Sequence, residues 1–160
     1  MAELPISHNE VLISNRGYMK LNGIELAELS SLEIKITPET KTIGIMNSPT
    51  KGEIIVAYNG TIDFELHKTS TLFKPALLES AKELRPFNFS LEATVYNPQK
   101  DKQESIYIDN CWFKGDVNLF TLKAEGDFLS EKFSAGFTIE SSEFTDVIDS
   151  ERTDTEWTSK

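Results

Sequence analysis

The sequence predicts a mainly β fold: an antiparallel β-sandwich or barrel with one α-helix packed on it. Three observations carry this. Segment after segment alternates apolar and polar residues with period two, as strands do when one face meets a core and the other meets water. Only "STLFKPALLESAKEL" repeats apolar residues at helical spacing. The 10 phenylalanines fall mostly on the apolar strand faces, where they supply core volume.

Length and composition fit one domain. The 160 residues are 39% hydrophobic and 26% charged, as in ordinary globular proteins. We expect an N-terminal arm over 1–16, a β domain over 17–145 and a polar C-terminal tail over 146–160. No signal peptide is visible at the start, and no apolar run reaches the length of a membrane span. A single cysteine, Cys111, leaves no intrachain disulfide possible. The net charge of −10 gives no basic footprint for a conventional nucleic-acid binder.

The elements follow in order. Asn22-Gly23 stands between two short apolar-alternating runs, Tyr18 to Leu21 and Ile24 to Leu26. That is the signature of a tight hairpin, whose turn needs positive φ at both central residues. So small a hairpin needs further structure to lean on. Next, Leu32, Ile34 and Ile36 alternate with Glu33, Lys35 and Thr37 in a half-buried strand closed by Pro38. The pattern then lapses over Glu39 to Glu53, which predicts a long loop; loops of that length usually carry a function. Alternation resumes with Val56, Tyr58, Ile62, Phe64 and Leu66 on one face. Gly60 interrupts this strand and predicts a bulge or a close backbone approach.

The helix is expected to open on Ser70 or Thr71, to hold Pro75 in its first turn and to end before Pro86. Phe73, Leu77, Ala81 and Leu84 would form its inner stripe. Strands follow at "FNFSLEATVY", "SIYIDNCWFK", "VNLFTLKAE" and "EKFSAGFTIE". The total is about seven or eight strands by this alternation.

No catalytic constellation emerges. His8 lies in the arm and His67 at a strand end. Cys111, in "NCWF", reads as a buried inert thiol, because a nucleophile needs an electropositive and partly open site. Glu33, Asp63 and Glu65 share polar strand faces; as glycosidase acids they would need a cleft with sugar-stacking aromatics. Tyr107 and Trp112 could form such a platform. Two readings stay open on the residues alone: a β-sandwich carbohydrate-binding module exposing Trp112 or Tyr107, and a hydrolase built on the carboxylate cluster.

The order of elements resembles the tail tube proteins of contractile-tailed phages and phage-like bacteriocins, related in fold to type VI secretion tube proteins. The similarity begins at "GYMKLNGIELAEL" and continues through Gly60-Thr61 to Leu66 and Lys68, then a helix opening with Ser70. Asn97-Pro98 and Phe113-Lys114-Gly115 complete it. It covers about Gly17 to Phe144. The resemblance implies a structural virion protein rather than an enzyme, made in the bacterial host cytoplasm. Subunits would form hexameric rings that stack into a tube, the conduit for DNA ejection. It implies further copies of the chain, tail sheath, tape measure and baseplate proteins as partners, with DNA passing without specific binding, and no cofactor, metal or membrane. The expected inter-ring loop is Thr40, Lys41, Thr42, Ile43, Gly44, Ile45, Met46, Asn47, Ser48, Pro49, Thr50 and Lys51. The expected lumen-facing residues are Glu33, Lys35, Asp63 and Glu65, a net of about −2 per subunit by formal count.

Overall fold

The computed structural model describes residues 16–26, 28–68, 71, 73–97, 102–124, 126 and 129–148. The expected arm up to residue 15, with His8, and all but the start of the expected tail lie outside them, as does Ser70. Among the described residues there are eight strands and one α-helix: β1 (Gly17–Leu21), β2 (Ile24–Glu25), β3 (Leu29–Gly44), β4 (Lys51–His67), α1 (Lys74–Lys82), β5 (Asn88–Asn97), β6 (Lys102–Phe113), β7 (Ser130–Phe137) and β8 (Ser142–Asp146).

All pairings are antiparallel, in the order β2-β1-β5-β6-β7-β4-β3, with β8 on β6. β2 and β3 stand at opposite ends of this path, yet only residues 26–28 separate them in sequence. Three residues span roughly 10 Å. The sheet therefore curls until its two edges nearly meet, an open barrel that does not close.

The opening hairpin forms as expected. Asn22 and Gly23 both have positive φ, 53° and 81°. The hairpin leans on β5: all of β1 pairs with it, from Gly17 opposite Val95 to Leu21 opposite Leu91. The Asn22 Oδ1 also accepts the Ser90 backbone N–H at 2.9 Å. Met19, Leu21 and Leu26 are buried, so this short element closes one side of the core.

β6 bends at Asn110, which has φ 53°. Its first half pairs with β8, from Ser105 to Ile108, and its end with β7, through Trp112 and Phe113. The inside of the curl holds Ile62, Phe64, Leu66, Phe89, Leu91, Ile108, Cys111, Phe133, Ala135 and Phe137. Phe73, Phe87 and Phe113 join Phe89 and Phe133 in a contiguous stack. Burial pushes the Cys111 thiol up to about 12, an unreactive thiol as expected.

Three expectations are corrected. The segment Glu39 to Glu53 is no loop. β3 runs on through Pro38, opposite Tyr58, to Gly44, and β4 pairs with it along its length. Proline is tolerated there because β3 is an edge strand. Only 45–50 turn. "VNLFTLKAE" is no strand: residues 114–124 run irregularly after Gly115, which has φ 66°. The helix starts at Lys74 with Phe73 as its N-cap and no side-chain cap. It is seated by its first turn, through Phe73 and Lys74, while Ala81 and Leu84 are exposed.

Gly60 is a close approach, as expected. A Cβ there would meet the Phe137 ring at 2.6 Å. The strand irregularities lie elsewhere, one between Leu29 and Ser31 and one nearer the tip between Glu39 and Thr40, where Val56 is the extra residue of β4.

Candidate functional site

β4 is gripped on both sides only over Gly60–His67, where β7 pairs with it. Beyond Gly60, β3 and β4 continue as a two-stranded ribbon. Among the described residues, neither outer edge of this ribbon carries a strand partner. A lone ribbon of this kind is marginal in water, and unpaired edges are templates for another chain.

Its side chains reinforce this. On the core-side face, Ile36 and Tyr58 extend the stripe of Ile34 and Ile62 outward and lie exposed. Past the irregularity at Val56, Ile55 stays on that face, and Ile43 and Ile54 occupy the other. Ile45 and Met46 follow in the turn, Met46 89% exposed. All twelve residues expected in the inter-ring loop lie in this ribbon and its turn.

The four expected lumen residues share the other, polar face of β3 and β4. Glu33 stands opposite Asp63 and Lys35 opposite Thr61. Lys35 reaches Glu33 at 3.3 Å with both exposed, a pair that adds little stability. Asp63 accepts the Ser134 hydroxyl at 2.7 Å. Glu65 stands opposite Lys132 of β7. Lys114 adjoins this face too, its Cε lying over Gly136 beside the Trp112 ring. Sequence reasoning counted three carboxylates against Lys35. The structure adds Lys114, just after β6, and Lys132 of β7, so the strip is charge-balanced. Strand pairing across distant segments brings them there, which a single-strand reading does not show.

Trp112 is half-exposed and packed on Gly136, and Tyr107 stands three residues before the bend of β6, opposite Glu143 of β8. The two do not form one platform. Among the described residues, no cluster of His, Cys, Asp or Glu could hold a metal ion.

Sequence reasoning missed a buried ionic cluster. Lys74, 4% exposed, binds Glu131, 7% exposed, and Lys68 reaches the same carboxylate at 3.3 Å. The Lys74 ammonium also donates to the Leu119 carbonyl at 3.5 Å. Desolvation holds the Lys74 amine below its usual value. The cluster ties α1, the end of β4, the start of β7 and the segment 114–124 together.

Residues 6–146 match the family described as "Phage tail tube protein", and the chain belongs to that family. It is thereby a structural component of a phage-type tail. No curated protein matches the sequence. The fold is shared with a chain of the anti-feeding prophage tube-terminating cap, at a TM-score of 0.67 and 8% identity over 89% of this chain and 96% of that one. It is shared with a chain of the sheath–tube complex of PVC, an extracellular contractile injection system, in the extended state (0.62, 7%, covering 88% and 95%). The PVC sheath/tube terminator gives 0.56 at 9% identity, covering 91% and 99%.

Proposed function

We propose that the chain is the repeating subunit of a tail tube. Six copies close into a ring, rings stack, and DNA passes through the lumen during ejection. The observation that carries this is the β3–β4 ribbon. It has two open edges and apolar side chains on both faces, a surface that only neighbouring chains satisfy. Pairing of the β3 edge with a neighbour continues the sheet from subunit to subunit and removes the liability. The turn and distal ribbon, Thr40 to Lys51, make the contact between rings. The strip of Glu33, Lys35, Asp63 and Glu65 lines the lumen. Sheath, baseplate and tape measure proteins are the further partners, the first on the outer wall and the last inside.

The test is electron microscopy and sedimentation of the concentrated protein. Rings or tubes are the expected outcome. An 18.1 kDa monomer at every concentration, with or without a pre-formed end to grow from, overturns the reading.

A further inference from the structure

We infer that the surface receiving the ribbon tip of one subunit is the irregular segment 114–124 of a subunit in the next ring. This rests on the stacked-ring reading and names the contact that stacking uses. The segment is apolar where it is most open: Phe120 is 77% and Leu122 84% exposed, and Leu119 is partly so. It is also held in place. The buried Lys74 ammonium donates to the Leu119 carbonyl while bound to Glu131, so the segment is tied to the sheet rather than free to fold over its own apolar side chains.

Position selects the occupant. Glu131 pairs opposite Leu66, at the His67 end of β4, so the cluster fixes Leu119, next to Phe120, at that end. The ribbon tip stands at the Lys51 end of the same strand. β4 has 17 residues, which separates the two apolar surfaces by roughly 50 Å along the strand. Two mutually apolar patches at opposite ends of one molecule cannot meet within it. Between copies they meet head to tail, a heterologous contact that propagates as a filament.

Charge points the same way. The chain carries −10, so copies repel one another over most of their surface. In Glu39 to Glu53, Lys41 and Lys51 offset the two glutamates, and in 115–124 Lys123 offsets Asp116. These two stretches are where acidic copies approach with least repulsion.

The experiment uses the full chain carrying Met46→Cys and Phe120→Cys together, assembled and then oxidised. Cys111 is buried and stays silent. A head-to-tail contact gives a ladder of disulfide-linked multimers on non-reducing gels, because each subunit bridges two others. Each single variant gives no ladder. In parallel, Phe120→Ser with Leu122→Ser should raise the concentration needed for tubes by about tenfold or more, the scale expected from losing buried apolar area at a repeated contact, while the melting temperature of the subunit stays unchanged. Normal tubes from the serine variant with no ladder from the double-cysteine variant overturn this inference and leave the tube reading standing. Absence of any assembly from the unaltered protein overturns both. A serine variant that forms normal tubes but no longer binds sheath protein assigns the segment to the sheath and overturns the inference as well.

Discussion

The Lys74 ammonium at the first turn of α1 sits on the Glu131 carboxylate at the start of β7, and both groups are buried. The helix makes little other use of its length, since its second half is exposed. Glu131→Gln leaves the Lys74 charge without its buried partner and should cost about 3–5 kcal/mol. Replacing both partners, Lys74→Met with Glu131→Leu, should recover most of that loss, because two apolar groups need no compensation there. Chemical denaturation measures both. The sign of the pH dependence is fixed by burial. The folded Lys74 amine titrates below its unfolded value of 10.5, so the unfolded chain binds more protons in the window just beneath 10.5. Unaltered protein should therefore gain stability relative to Lys74→Met as pH rises towards that value. A difference that shrinks over this window contradicts the assignment.

Cys111 gives the opposite slope. Its folded value of about 12 lies above the unfolded 9.0. The folded state holds the proton longer, so this stabilisation is complete below pH 9.0 and is lost as pH rises towards 12. Comparison with Cys111→Ala removes the lysines and tyrosines common to both proteins. The stability advantage of the cysteine protein should fall across that window. Alkylation at neutral pH should label Cys111 only in denaturant.

Phe137 lies on Gly60, leaving no room for a side chain. Gly60→Ala should force the ring away and cost about 1–3 kcal/mol, the usual range for overpacking. In a chain of this size that lowers the melting temperature by about 2–4 °C for each kcal/mol. A neutral substitution would mean that the ring has another place to go.

Wherever one face of a strand meets the core, the sequence was readable: Ile62, Phe64 and Leu66 alternate with Asp63 and Glu65, and both sides of the contrast are visible. Beyond Gly60 the ribbon leaves the core. Ile43, Ile54 and Ile55 then fall on different faces, with no core to align them and with Val56 inserted between, and the period vanishes though the strands do not. The converse error is "VNLFTL", which alternates well but pairs with no strand among the described residues. The four charged residues were placed on one face correctly because β3 and β4 are neighbours in sequence. Lys114 and Lys132 were not, since their rows are set by pairing with β6 and β7.

Deleting Ile43 to Thr50 should separate folding from assembly. Within the subunit their strand pairs are Ile43 with Gly52 and Gly44 with Lys51, at the tip and away from the core, so the shortened protein should keep its melting temperature and its core. It should fail to form long tubes. Tubes of ordinary length and salt resistance from the deletion would remove the ribbon tip from the stacking contact.

The polar strip makes the last prediction. Three carboxylates, Glu33, Asp63 and Glu65, face three ammonium groups, Lys35, Lys114 and Lys132. A strip so balanced neither grips a polyanion nor repels it strongly. Asp63→Lys with Glu65→Lys turns the strip to an excess of four positive charges by formal count, or on the order of +24 in a ring of six. Neither side chain points into the core, so the fold should persist, weakened by the loss of the Ser134 bond and by Lys132 facing a like charge, a cross-strand penalty of about 0.2–1 kcal/mol. Assembled tubes of this variant should retain DNA, with an affinity that falls steeply as salt is raised, and ejection should slow. Where the strip lies is read separately by Asp63→Cys. A reagent too large to enter the tube should label that thiol in free subunits and not in assembled tubes. Equal labelling along intact tubes would put Asp63 on the outer wall, and the retained DNA of the lysine variant would then have to be found outside the tube.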